Sequence, residues 1–184
     1  MTRIYMIRHG RAEAGFGESL DPGLDALGCS QAETVAQKLA SLGPLPILSS
    51  PLRRTRETAA PLAKLWNVEP AIEKAVAEIP SPWGMTLDGR VAWLRKLMAG
   101  SWRDAPRDLA EWREDCVASV TEVSRDTVIF SHYVAINVIV GAATGDDRVV
   151  VFSPDNCSVT IVEADGQSLR LIEKGHEAPL TKVN

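Results

Sequence analysis

Short apolar runs of strand type alternate along this chain with longer stretches whose apolar positions recur at helical spacing. The first run, Ile4-Tyr5-Met6-Ile7, is followed at once by Arg8, His9 and Gly10. A helix is predicted over 25–42, with Val35, Leu39 and Leu42 in phase and Gly43-Pro44 as its stop. A second strand run, Ile47-Leu48-Ser49-Ser50, leads into a helix over 51–66. Pro51 is placed in its first turn, where a missing N–H costs little, and Leu62 and Leu65 on its apolar face. Glu69–Ile72 is strand-like, and further helices are predicted at about 86–99 and 107–124. The strand 127–131 precedes an almost wholly apolar stretch, 133–143, which reads as a buried helix. Strands are then expected at 149–151 and 158–162, and 169–173 closes a hairpin through the turn Asp165-Gly166.

Alternation of this kind is the signature of a parallel sheet covered by helices on both faces. The expected fold is α/β: a three-layer α/β/α sandwich with a mostly parallel central sheet, and one domain over 1–184. The only strong loop punctuation, Pro80-Ser81-Pro82-Trp83-Gly84, is an excursion within it.

Composition narrows the class of function. An apolar content of 45% with 24% charged residues is ordinary for a soluble globular protein. A net charge of -4 gives no footprint for nucleic acid. No run is long and apolar enough for a membrane span, and the chain enters a strand too soon for a signal peptide. Cys29, Cys116 and Cys157 are scattered and odd in number, so small buried apolar roles are expected instead of disulfides, and with them a cytoplasmic location. With only three histidines and no CxxC pair, neither a metal site nor a cofactor is expected.

Three strand ends carry the chemistry: Arg8-His9, the Ser50–Arg54 turn, and Ser131-His132. The last two also open helices, whose N-termini offer free N–H groups to an anion. A phosphoryl group carries its charge on three oxygens, so its transfer calls for positioning and positive charge. Arg8 and Arg54 have forked donors for those oxygens, and His132 adds one when protonated. His9 can attack phosphorus through one ring nitrogen while an acceptor, for which the Gly10 carbonyl is the candidate, holds the other. Gly10 is expected to let the backbone approach the ligand closely.

The stretches IYMIRHGRAE, LDALGCSQAETVAQKLASLG, ILSSPLRRTRETA and VIFSHYVAINVIVG, in that order over residues 4 to 141, resemble the histidine phosphatase superfamily, or phosphoglycerate mutase-like family. The resemblance implies that His9 is phosphorylated and that Arg54 rather than Arg53 joins Arg8, His132 and Ser131 around the phosphate; Arg11-Ala12-Glu13 departs from the residues common there, and Arg11 is expected to add charge at the rim of the substrate site. It implies a glutamate as proton donor. Glu78, in Ala77-Glu78-Ile79, is the best match, with Glu13 as rival. Tyr133 stands where the family usually has Gly, and the long insertion that caps the mutases is missing between Glu78 and His132. The implied activity is that of a short, uncapped, metal-independent phosphatase acting on a phosphorylated small molecule or a phosphoprotein. The alternatives are phosphoglycerate mutase-type transfer and dephosphorylation of phosphohistidine proteins. The loop 78–89 is expected to shape the choice of substrate. His176 lies in a polar tail and is expected to be solvated.

Overall fold

A computed structural model describes residues 1–178. The expected domain runs on to 184, and its residues 179–184 lie outside the described ones. Six strands form one mixed sheet: β1 (Thr2–Arg8), β2 (Ile47–Ser49), β3 (Ala71–Ile72), β4 (Thr127–Ser131), β5 (Val159–Ala164) and β6 (Leu169–Glu173). Their order across the sheet is β3-β2-β4-β1-β5-β6. β3, β2, β4 and β1 are mutually parallel, and β5 and β6 continue the sheet antiparallel.

The alternation of side chains along β1 builds the layers. Ile4 and Met6 join a core with Ile129 of β4 and with the helices α4 (Arg107–Thr121) and α5 (Tyr133–Thr144). Tyr5 and Ile7 face the other way, with Val128 and Phe130 of β4, onto α1 (Ala26–Leu39) and α2 (Arg53–Trp66). α3 (Leu87–Met98) lies over the first core through Trp93, Leu94, Leu97 and Met98. This is the expected α/β/α sandwich. No helix among the described residues is long and apolar enough to cross a membrane.

Register places the functional segments. Arg8 of β1 pairs with Ser131 of β4, and the His9 N–H donates to the Ser131 carbonyl at 3.0 Å. The Ser50 N–H donates to Phe130 O at 3.0 Å. The carboxyl ends of β1, β2 and β4 therefore lie side by side, in the crevice position typical of ligand sites in open α/β sheets.

Several expectations need correction. Residues 149–151 form no strand. Asn137, the one polar side chain in the buried stretch of α5, captures them: its Oδ1 accepts from the Val151 and Phe152 N–H groups at 2.7 and 3.0 Å. Of the strand expected at 69–72, only Ala71 and Ile72 pair. Helix α2 begins at Arg53, with Pro51 just outside it, and Leu65 on α2 is 48% exposed. Its buried apolar face is Ala59, Leu62, Ala63 and Trp66. Of the cysteines expected to be buried, Cys29 is exposed on α1, Cys116 is buried, and Cys157 sits partly buried in a turn at φ 55°.

Candidate active site

His9 is buried directly beyond β1, and its ring is held at both nitrogens. Nδ1 lies 2.7 Å from the Gly10 carbonyl oxygen, so Nδ1 carries the proton and donates. Nε2 is then a free lone pair, and it accepts from Arg54 Nε at 3.2 Å. The Asn156 amide donates to the His9 carbonyl at 2.8 Å. Burial, followed by the charges of Arg8 and Arg54, pushes the His9 pKa well below its ordinary value. At neutral pH the ring is uncharged.

Arg8 and Arg54 flank it. Arg8 Nη1 donates to Pro154 O at 2.9 Å, and its guanidinium carbon lies 5.2 Å from the centroid of the Tyr133 ring. Arg54, on the first turn of α2, is buried. Burial lowers both arginine pKa values, and the nearby charge of Glu78 opposes that shift.

His132 packs its ring 5.2 Å from that of His9, centroid to centroid. Its Nε2 lies 2.8 Å from Ser50 Oγ. Ser50 Oγ accepts from the Leu52 N–H, and among the described residues His132 Nε2 is the one acceptor within reach of its own proton. The His132 proton is then on Nδ1, a buried donor with no partner among the described residues. Arg8 Nε is another. Buried donors left open at one place are what a bound oxyanion satisfies. Burial first, then His9, Arg54 and Arg8, hold the His132 pKa well below its ordinary value. His132 is therefore uncharged at neutral pH, and the ring serves as a neutral donor.

Glu78 lies in the same cluster. Its Oε1 accepts from Ile79 N at 3.0 Å and from Val134 N, in the first turn of α5, at 3.2 Å. Burial raises its pKa and outweighs those N–H groups and the two arginines, all of which favour the carboxylate. Glu13 is exposed and points to other work: it accepts from the Gly23 N–H and lies 3.5 Å from Arg53.

Two expected substrate binders are engaged elsewhere. Ser131 Oγ donates to Val76 O at 2.7 Å and is fully buried, so it ties β4 to the segment before Glu78. Arg11 is exposed and paired with Asp25, the N-cap of α1. Gly10 meets protein, where close contact with ligand was expected: a Cβ there would lie 2.7 Å from the Gly28 carbonyl oxygen of α1. His176 is exposed. Ser50 and Asn156 are the partners that sequence reasoning missed. Ser50 carried a signal, since it ends the strand that delivers Arg54; Asn156, far along the chain, carried none.

Among the described residues no three or more His, Cys, Asp or Glu side chains gather as a metal site would. A groove of about 620 Å³ between α1 and α2, lined by Glu33, Gln37, Pro61 and Lys64 among others, contains none of the clustered residues.

The sheet crevice and its cluster define an α/β protein with two neutral histidines, two arginines and a half-sheltered carboxyl gathered at the carboxyl ends of the parallel strands. The chain belongs to the histidine phosphatase superfamily (branch 1), whose sequence profile matches residues 4–175. It is 33% identical over 158 residues to a glucosyl-3-phosphoglycerate phosphatase of Mycolicibacterium vanbaalenii, a match covering 82% of this chain and 68% of that one. It is 37% identical over 107 residues to a PE-PGRS family protein of Mycobacterium tuberculosis, which covers 49% of this chain but only 18% of that much longer one. The crystal structure of a phosphoserine phosphatase from Entamoeba histolytica, in complex with 3-phosphoglyceric acid, superposes with a TM-score of 0.75 at 23% identity, covering 96% of this chain and 98% of that one.

Proposed function

We propose that the protein hydrolyses phosphomonoesters through a phosphohistidine formed on His9 Nε2. The observation that carries this reading is the state of the His9 ring. Its proton is fixed on Nδ1 by Gly10, its Nε2 lone pair is free at neutral pH, and Arg54 is already at that nitrogen. In the first step the Nε2 lone pair attacks phosphorus and the bond to the ester oxygen breaks. The departing oxygen takes a proton from Glu78, whose pKa burial raises. Arg8, Arg54 and His132 Nδ1–H hold the three non-bridging oxygens. Arg54 Nε leaves Nε2 for a phosphate oxygen as the nitrogen becomes the nucleophile. In the second step a water attacks phosphorus and gives a proton to the Glu78 carboxylate, and the P–N electrons return to Nε2 as inorganic phosphate departs. One difficult displacement is thus divided into two.

The two arginines supply the charge that a metal supplies in other phosphatases. The phosphatase relative from Mycolicibacterium supports hydrolysis over transfer. The test is release of inorganic phosphate from p-nitrophenyl phosphate in the presence of EDTA. Turnover that survives EDTA and disappears in His9→Ala is expected. Activity abolished by EDTA and restored by a divalent ion, or a fully active His9→Ala protein, contradicts the reading.

A further inference from the structure

Tyr133, at a position where glycine is usual in the family, stands over Arg8. It is the first residue of α5 and is half-buried. The Arg8 guanidinium carbon lies 5.2 Å from the centroid of its ring, within the range of a cation–π contact. The Tyr133 hydroxyl donates to Ser153 Oγ at 3.3 Å. Ser153 precedes Pro154, whose carbonyl accepts from Arg8 Nη1 at 2.9 Å. The Tyr133 carbonyl accepts from Asn137 Nδ2 at 2.9 Å, and Asn137 Oδ1 takes the N–H groups of Val151 and Phe152. These contacts close a circuit: from Tyr133 through Asn137 to Val151 and Phe152, along the chain to Ser153, and back to the Tyr133 hydroxyl. Arg8 sits between the two arms of that frame, the aromatic face from α5 and the Pro154 carbonyl from the captured segment.

The kind of partner matters as much as its place. A carboxylate beside Arg8 would draw its donors into an ion pair and repel the oxygens of a phosphoryl group. Among the described residues no carboxylate forms an ion pair with Arg8. A ring face attracts the guanidinium through its quadrupole and leaves the N–H groups free for other acceptors. Arg8 Nε is accordingly buried with no hydrogen-bond partner, a donor that an oxyanion can satisfy. A glycine at 133 would supply neither the face nor the tether to Ser153.

We infer that Tyr133 is a positioning residue for the phosphoryl site: its ring fixes the Arg8 guanidinium, with Nε open, before a phosphoryl group arrives, and so strengthens the grip on that group whatever alcohol it carries. An arginine ordered in advance loses less side-chain freedom on binding than one left to find its rotamer. Tyr133 takes no part in bond making and acts through Arg8. Its consequence for turnover rests on the phosphatase reading above, whereas its consequence for phosphate binding does not.

The test reads the binding of inorganic phosphate by calorimetry, which needs no turnover, together with KM and kcat for p-nitrophenyl phosphate and propyl phosphate. Tyr133→Leu keeps apolar bulk and helix propensity but removes the aromatic face and the hydroxyl. It should weaken phosphate binding by about 2- to 10-fold, the scale of ordering one arginine side chain, and raise KM for both esters by the same factor with kcat little changed. Tyr133→Phe, which keeps the face and loses the tether, should lie closer to the wild type than to Tyr133→Leu. In an Arg8→Gln protein, adding Tyr133→Leu should change neither phosphate binding nor kcat/KM further, because the residue through which Tyr133 acts is gone. Wild-type phosphate binding in Tyr133→Leu, a Tyr133→Phe protein no better than Tyr133→Leu, or the same loss with and without Arg8 overturns the inference. Should Tyr133→Leu fold poorly, Tyr133→Met, also apolar and of adaptable shape, takes its place with the same outcomes. A wild-type protein that binds phosphate with this dependence on Tyr133 but hydrolyses neither ester contradicts the phosphatase reading and leaves the inference standing, which separates the two failures.

Discussion

Gly10 shows how a residue next to the chemistry can be held there by packing. Its missing Cβ makes room for the Gly28 carbonyl, which belongs to backbone and has little freedom to move. Gly10→Ala is therefore expected to destabilise the fold by about 1–3 kcal/mol, the usual cost of overpacking. Chemical denaturation measures this directly, and an unchanged midpoint contradicts the packing account. Glu78 is tested by its chemistry. An alkyl alkoxide needs a proton as it leaves, whereas a nitrophenolate hardly does. Glu78→Gln should lose about 10²-fold or more on propyl phosphate and far less on p-nitrophenyl phosphate. Equal losses on both would reduce Glu78 to a shaping role. Glu13→Gln should show no contrast, since Glu13 is exposed and bound to Gly23 and Arg53.

Among the elements, α5 organises more of the site than its apolar sequence suggests. Its first turn supplies the Val134 N–H to Glu78, and His132 is its N-cap. In its middle, Asn137 donates from Nδ2 to Tyr133 O and accepts from Val151 and Phe152, a buried amide with both ends used. The segment so held continues to Pro154, whose carbonyl orients Arg8. Asn137→Ala leaves the Val151 and Phe152 N–H groups open, the first part-buried and the second buried, and should cost about 2–6 kcal/mol, at roughly 1–3 for each unsatisfied group. It should also raise KM for phosphate esters by loosening Arg8. A variant with wild-type stability and KM would sever this link. Asn137 also explains what sequence left illegible. The run Val149-Val150-Val151 has strand composition, and only a distant side chain keeps it out of the sheet. The parallel core was legible because β1 and β4 alternate cleanly between the two cores, and β1, β2 and β4 end in the site residues. The hydroxyl of Ser131 and the charge of Arg11 were misread. Sequence gives proximity to a strand end but not the partner, and both had found protein partners. The neutrality of His132 follows from full burial beside two arginines and a second histidine, which no spacing reveals.

For the molecule as a whole, two neutral buried histidines leave a signature in the dependence of stability on pH. The unfolded chain takes protons on both rings as pH falls through 6.5, and the folded protein does so only at much lower pH. Their contribution is thus fully present above 6.5 and is lost as pH falls toward their depressed folded values. Glu78 acts with the opposite sign. Its folded pKa is raised, so its contribution is full below 4.5 and is lost as pH rises through that raised value. With two rings against one carboxyl, the melting temperature is expected to fall between pH 7 and 5, and to fall less in a His9→Gln/His132→Gln protein. A flat or rising profile in the unmodified protein would show that these rings are not held neutral. The central claim, however, is that phosphoryl groups pass through His9 Nε2. The direct measurement is to mix the protein with ³²P-labelled substrate, quench rapidly in base, and map the label by peptide. The account predicts a base-stable, acid-labile label on the peptide containing His9, formed and lost at rates that match turnover and missing in His9→Ala. Turnover with no such label under burst conditions, or a label on any other residue, would contradict it.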